Sequence, residues 1–185
     1  MKIAILGAEG SFTEEAANYH CQRNDIKPAF LHCETPEEVF KSVDDKTAKL
    51  GVIPISNSLG GGVEETITAM SQHSFRPIAF FEIRVRQNLL TRQDTKPANI
   101  TKIVSHPQAF AQCRLYLARN WLKAKKVPYN STASAARDLA TGALDNDVAV
   151  IASSKAAKLY GLKTVASDIQ DFQSNFTQFL VFSRR

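Results

Sequence analysis

Residues 50–62 read Leu50-Gly51-Val52-Ile53-Pro54-Ile55-Ser56-Asn57-Ser58-Leu59-Gly60-Gly61-Gly62. The first six are a short apolar run closed by turn residues, the pattern of a buried strand. A polar, glycine-rich loop follows, then a helix from about Val63 to Ser71. The same order of strand, polar loop and helix recurs on both sides. Upstream, residues 2–6 read as a strand and Ser11 to Asn24 as a helix. Ala29 to Cys33 is a strand, and Thr35-Pro36-Glu37-Glu38 opens the next helix. There Thr35 caps, Pro36 suits the first helical position and Glu38 closes a capping box. Downstream, Pro77 to Arg86 is long and extended and carries the chain towards a second lobe. Strands at 100–104, 127–130 and 148–152 each lead into a helix. These helices run from Ser105-His106-Pro107-Gln108 to about Arg119, from Ala133 to Thr141, and from Ser153 to Tyr160, with Gly161 ending the last. Residues 162–166 and 176–182 close the pattern as strands. Such alternation predicts an α/β protein.

The 185 residues are 44% hydrophobic and 22% charged, enough for a core without staples. Three cysteines, Cys21, Cys33 and Cys113, are an odd number without CxxC spacing. This excludes a disulfide scaffold and argues for a reducing compartment. No apolar run approaches the roughly 18 residues of a membrane span. The apolar start at Met1–Gly7 is too short for a signal peptide. The expectation is a soluble cytoplasmic protein with no membrane attachment. Residues 81–162 hold 13 Lys and Arg against 5 Asp and Glu, a net of +8, while the remainder holds 10 against 13, a net of −3. That asymmetry suits an acidic partner or substrate. The densest basic run, 119–126, has one aromatic and no nucleic-acid signature, so nucleic acid is not expected.

Three loops share one design, in which a strand gives way to small polar residues and then to a helix N-terminus. They span 7–13, 56–62 and 105–108, and the helix after Asn130-Ser131-Thr132 adds a fourth. Free N–H groups and the helix dipole make such ends anion sites, and glycine permits close approach. A carboxylate- or phosphate-bearing small molecule is the expected ligand. Gly7 and Gly10 do not complete a G-x-G-x-x-G fingerprint, no P-loop occurs, and no nucleotide cofactor is expected. His20, His32, His73 and His106 are scattered, so no metal is expected. No G-x-S-x-G elbow is present. Cys113, seven residues after His106, reads as a buried thiol. In the last strand Asn175, Thr177 and Phe179 share one face, and Phe176, Gln178 and Leu180 the other.

At these residues the chain resembles the catalytic domain of prephenate dehydratases. The likeness runs through 7–17, 51–58, 105–113, 169–171 and 175–179, where the family has Pro-Ile-Glu-Asn-Ser, Ser-His-Pro-Gln and Asn-x-Thr-Arg-Phe. It implies two α/β lobes with a cleft between them, like a type 2 periplasmic-binding protein. Residues 1–80 plus 163–185 would form lobe 1 and 81–162 an inserted basic lobe 2, together one catalytic domain. The implied activity is a carbon–oxygen lyase, turning the dianion prephenate into phenylpyruvate with loss of water and CO2, without cofactor, in a homodimer. The family's catalytic threonine maps onto Thr177, read here as a positioned hydrogen-bond donor to the leaving oxygen. Ser11, Asn57, Ser58, Gly60, Ser105, His106, Gln108, Thr132, Asn175 and Phe176 would bind substrate.

Three positions depart from the family. Its Glu becomes Ser56, its Arg after the threonine becomes Gln178, and a frequent His at the crossover strand's end becomes Gln87. Losing one Glu and one Arg together leaves the net charge unchanged. We therefore read Ser56 and Gln178 as supporting residues that replace a cross-loop ion pair by a neutral contact. A non-aromatising decarboxylase and a non-catalytic carboxylate binder are the alternatives on this scaffold. The family often continues into a phenylalanine-binding regulatory domain, absent from these 185 residues.

Overall fold

Ile3, Ala4 and Ile5 are fully buried in β1 (Lys2–Leu6), as a central parallel strand with both faces covered requires. The computed structural model describes residues 1–185 as two units. Unit 1 holds Met1–Ala8, Phe12–Arg84 and Phe176–Arg185. After β1 come α1 (Phe12–Arg23), β2 (Ala29–Cys33), α2 (Pro36–Asp44), β3 (Leu50–Asn57), β4 (Gly61–Gly62), α3 (Glu64–Gln72) and β5 (Phe75–Arg84). The last strand, β11 (Phe176–Arg184), completes a sheet ordered β2-β1-β3-β11-β5, with β4 on β3. β1, β2 and β3 are parallel, whereas β11 runs antiparallel to both neighbours.

Strand alternation feeds two cores. Ile3, Ile5, Val52, Phe179 and Val181 pack with Ala16 and Ala17 of α1. Ala4, Ile53, Leu180 and Phe182 pack with Val39, Phe40 and Val43 of α2 and Ala69 of α3. Phe182 lies opposite Gly51 and stacks on Phe40 at 4.3 Å between ring centroids. A Cβ on Gly51 would fall 2.3 Å from the Phe182 ring, so the ring occupies the space that a side chain would need. The α2 start differs from the expected box. Thr35 accepts from the Glu38 amide (3.2 Å), but the Glu38 carboxylate accepts from Glu34 (2.8 Å), one residue before the cap.

Unit 2 holds Glu9–Ser11 and Val85–Asn175. Its elements are β6 (Asn88–Thr91), a 3-10 turn (Pro97–Asn99), β7 (Lys102–Ser105), α4 (Pro107–Gln112), α5 (Arg114–Asn120), β8 (Lys125–Pro128), α6 (Thr132–Thr141), β9 (Val148–Ala152), α7 (Ser154–Leu159) and β10 (Lys163–Ala166). The sheet order is β10-β6-β9-β7-β8. The boundaries move from those expected. β10 pairs with β6, which keeps 163–175 in unit 2, and β5 carries unit 1 on to Arg84. With these limits unit 2 holds 13 Lys and Arg against 7 Asp and Glu, still a net of +6.

The single helix expected from 105 to 119 is two. Cys113 breaks it, and Asp171 explains the break by accepting from the Leu115 amide (3.0 Å) and the Tyr116 amide (3.3 Å) at the start of α5. Cys113 is buried as expected, and burial together with the Asp171 charge pushes its thiol up to about 12. Gly10 is fixed by geometry. Its φ is +83°, and a Cβ there would meet the Ala156 Cα at 3.2 Å. The Ser153 hydroxyl donates to the Gly10 carbonyl (2.9 Å) and the Tyr160 hydroxyl to that of Glu9 (2.9 Å).

Candidate functional site

In unit 1 the site is built where β3 and β11 meet. Pro54 has no N–H for the ladder, and the register slips beside it. Phe179 pairs with Pro54, but Gln178 pairs with Ser56 and Thr177 with Asn57, which leaves Ile55 as the extra residue of a bulge. Asn57 is almost fully buried and uses its whole amide. Its Oδ1 accepts from the Leu59 and Gly60 amides, both at 3.0 Å. Its Nδ2 donates to the Phe176 carbonyl (3.0 Å) and to Thr177 Oγ1 (2.9 Å). The two backbone donors fix which amide atom is oxygen, so the Thr177 oxygen faces a donor and must accept. Its own proton is thereby turned away from Asn57, into the half-open space where Thr177 lies.

Ser58 stitches the loop to the same strand. Its amide donates to the Phe176 carbonyl (2.8 Å), and its Oγ accepts from the Phe176 amide (3.0 Å). Gly60, expected to offer a free amide, gives that amide to Asn57 instead. Ser56 and Gln178 face each other across the β3–β11 register, and Gln178 faces Glu82 on the β5 side. Ser56, Asn57, Ser58, Gly60, Phe176, Thr177 and Gln178 thus form one cluster.

In unit 2, β8, β7 and β9 run parallel, and each delivers its chain into a helix N-terminus at the same sheet edge. The caps are His106, Ser131 and Ser153, which accept from the amides of Gln108, Ser134 and Ala156 at 3.2, 3.0 and 3.0 Å. Ser105 is not the cap of α4. It is buried in β7, and its hydroxyl donates to the Ile151 carbonyl (2.8 Å), binding β7 to β9. His106 lies just past the strand in an extended conformation, so its ring reaches the free amides. Gln108 is exposed, Thr132 opens α6, Ser11 is half-exposed in the 9–11 loop and Asn175 is fully buried.

Sequence reasoning missed a buried amide cluster. Gln87 Nε2 donates to Gln112 Oε1 (3.0 Å), and the Gln87 amide donates to Gln170 Oε1 (2.9 Å). The signal was the Ile169-Gln170-Asp171 motif, which places Gln170 in this cluster and Asp171 at α5. No three His, Cys, Asp or Glu side chains gather as metal ligands.

A sequence model described as prephenate dehydratase matches residues 3–185. The chain belongs to the prephenate dehydratase family. Two relatives are an arogenate dehydratase/prephenate dehydratase 2 of Arabidopsis thaliana, 35% identical over 100% of the chain and 46% of the relative, and a bifunctional chorismate mutase/prephenate dehydratase of Neisseria gonorrhoeae, 36% identical over 98% and 49%. The chain therefore spans about half the length of these relatives. The crystal structure of an Arthrobacter aurescens prephenate dehydratase in complex with L-Phe is 29% identical, with a TM-score of 0.89 over 100% of the chain and 60% of that structure. The fold is the type 2 periplasmic-binding-protein-like α/β fold of prephenate dehydratases. No helix is long and apolar enough to cross a membrane.

Proposed function

We propose that the chain is a prephenate dehydratase, a lyase that makes phenylpyruvate in phenylalanine biosynthesis. The observation that carries the reading is the Asn57–Thr177 hydrogen bond of 2.9 Å. In the reaction the bond from ring carbon to carboxylate breaks and releases CO2. Its electron pair enters the ring as the ring hydroxyl leaves, and the ring becomes aromatic. The departing oxygen gathers negative charge and becomes water by taking a proton from solvent, while the hydroxyl that hydrogen-bonds to it keeps its own. A donor fixed towards that oxygen stabilises the transition state more than the ground state. Thr177, held as an acceptor by Asn57, offers such a proton. The net charge of unit 2, +6, suits a dianionic substrate. We also propose a homodimer working in a reducing cytoplasm, which three free, buried cysteines suit.

The test is turnover of prephenate near neutral pH by wild type and Thr177→Ala, with the products resolved and non-enzymatic aromatisation subtracted. Phenylpyruvate formed by wild type and lost in the variant is expected. A non-aromatic decarboxylated product would make the chain a decarboxylase, and binding without turnover a carboxylate-binding protein. Arogenate as a second substrate tests the preference that the Arabidopsis relative's name raises.

A further inference from the structure

α1 and β5 leave a groove of about 410 Å³ between them, wholly within unit 1. That volume lies in the range of small-molecule sites. Its walls are Tyr19, His20 and Arg23 from the last turns of α1, with Ile78 and Phe81 from β5. β5 is the outermost strand of its sheet, so this border also carries backbone N–H and C=O groups without a strand partner. The groove lies at the C-terminal end of α1. Phe12 and Arg23 bound that helix, so about 16 Å along its axis separates the groove from the loop that leads into the helix.

Three features of this groove suit an aromatic acid. The first is His20. It is only 8% exposed, and its ring stacks on Phe81 with centroids 6.0 Å apart and 9° between the planes. No hydrogen bond reaches its ring nitrogens, yet neither is sealed in the core. Burial alone acts on its pKa and lowers it, so the ring is neutral near pH 7 and has one N–H to give. A buried polar ring ordinarily takes a partner, and the groove that His20 lines has room for one. The second feature is Arg23, which forms no ion pair. Its Nη1 donates to the Tyr19 hydroxyl (3.1 Å), and the guanidinium lies 5.5 Å from the centre of the Tyr19 ring. These contacts hold the cation beside the groove and leave it further N–H groups for a carboxylate. A basic residue in a last turn also complements the helix dipole; the unpartnered His20 beside it is the independent sign of a ligand. The third feature is the corner made by Tyr19 and Phe81. Their centroids are 5.4 Å apart and their planes tilted by 43°, an arrangement on which a further ring can pack.

We propose that this groove binds a small aryl carboxylate, its ring against Tyr19 and Phe81 and its carboxylate accepting from Arg23 and His20. The product put forward above belongs to that class, but the groove is a second site and does not rest on the dehydratase reading. The probe is phenylacetate, added to the 185-residue chain with its histidine rings isotope-labelled and observed by NMR. The chain has four histidines, so each ring signal is assigned by changing that histidine alone to Gln. The His20 signal is expected to shift and to saturate as phenylacetate rises towards about 10 mM, the weak limit for a fragment of this size. Arg23→Gln should raise the half-saturation concentration about tenfold with an unchanged circular dichroism spectrum. Acetate, which lacks the ring, and benzyl alcohol, which lacks the carboxylate, should each act on His20 at least about tenfold more weakly. Thr177→Ala should leave the His20 titration within about twofold of wild type, because Thr177 is not a groove residue. A His20 signal that does not move, a titration that Arg23→Gln leaves unchanged, one that acetate or benzyl alcohol reproduces, or one lost in Thr177→Ala would each overturn the proposal. The His20 signal is read without turnover, so a failed dehydratase assay leaves this result standing.

Discussion

Replacing Asn57 by Asp tests the Thr177 argument with the smallest possible change in shape. The carboxylate still accepts from Leu59 and Gly60, so the loop keeps both of its ties. What disappears are the two Nδ2 donations, at 2.9 Å to Thr177 and 3.0 Å to Phe176. The Phe176 carbonyl keeps the Ser58 amide and is not orphaned. Thr177 then faces an acceptor, and its hydroxyl rotates to donate to it. Two neutral bonds lost and one charge-assisted bond gained put the stability cost at about 1–2 kcal/mol. Catalysis suffers far more, because the proton that should meet the leaving oxygen is now held by residue 57. Loss of one positioned donor lowers kcat by about 10²–10³-fold. Asn57 is a positioning residue in this scheme, so its effect must pass through Thr177. The assay is kcat and KM for prephenate in wild type, Asn57→Asp, Thr177→Ala and the double variant, with thermal unfolding as the control for folding. The double variant should be no slower than Thr177→Ala alone within about threefold, a strongly non-additive cycle. A kcat for Asn57→Asp close to wild type, or losses that multiply in the double variant, would refute the reasoning.

His73 receives contacts from two carboxylates, Asp44 at 2.6 Å and Glu37 at 2.9 Å, and only an imidazolium has two N–H groups to give them. Burial lowers its pKa, but these hydrogen bonds outweigh it and hold the ring above its ordinary value, while the His73 hydrogen bond draws Glu37 below the usual carboxylate range. Stability from this tie is therefore complete below the ordinary value of about 6.5 and fades as pH rises through the folded one. At the acid end it is lost as pH falls through the lowered Glu37 value. Unfolding midpoints from pH 5 to 9 should fall with pH in wild type and flatten in His73→Gln. Gly51→Ala drives a methyl into Phe182 and should cost about 1–3 kcal/mol in urea unfolding, whereas the same change at Gly61, which has open space, should cost less and act only through its φ of +75°. Gln178 lies between Ser56 and Glu82, so Gln178→Arg alone should be tolerated, Ser56→Glu alone should destabilise, and the pair should recover about 0.5–1 kcal/mol of coupling. Additive singles in the same urea series would leave Ser56 and Gln178 independent.

What the sequence made legible follows from what is local. β2 and β9 were read to the residue, because apolar runs closed by turn signals admit one interpretation. β6 was not read, since Asn88-Leu89-Leu90-Thr91 is too short to show a period, and only its neighbours β9 and β10 make it a strand. The break between α4 and α5 is equally non-local. It depends on Asp171, which reaches α5 from the far end of the unit 2 chain. Ser105 was the cap candidate on paper, but the β7–β9 pairing commits its hydroxyl to Ile151 and leaves the cap to His106. Gly60 misled for a related reason. A glycine amide in a polar loop looks available to an anion, yet Asn57, three residues earlier, already holds it. Thr177 carried no local signal beyond a polar residue at a strand end and was found through the family resemblance alone.

The bulge at Ile55 shows why Pro54 belongs with the site although it touches no reacting group. Continue the ladder from the Phe179–Pro54 pair without a slip, and Gln178 would face Ile55, Thr177 would face Ser56 and Asn57 would face Phe176. Two hydroxyls would then meet where an amide now meets one, and either could donate to the other, so neither proton would have a fixed direction. The slip moves every pair beyond it by one residue, and it places the amide with its donor side towards Thr177. A residue that lacks an N–H is where such a slip is cheapest, because the ladder loses nothing there that it had. The orientation of one hydroxyl proton at Thr177 thus traces back to a missing proton on the nitrogen of Pro54.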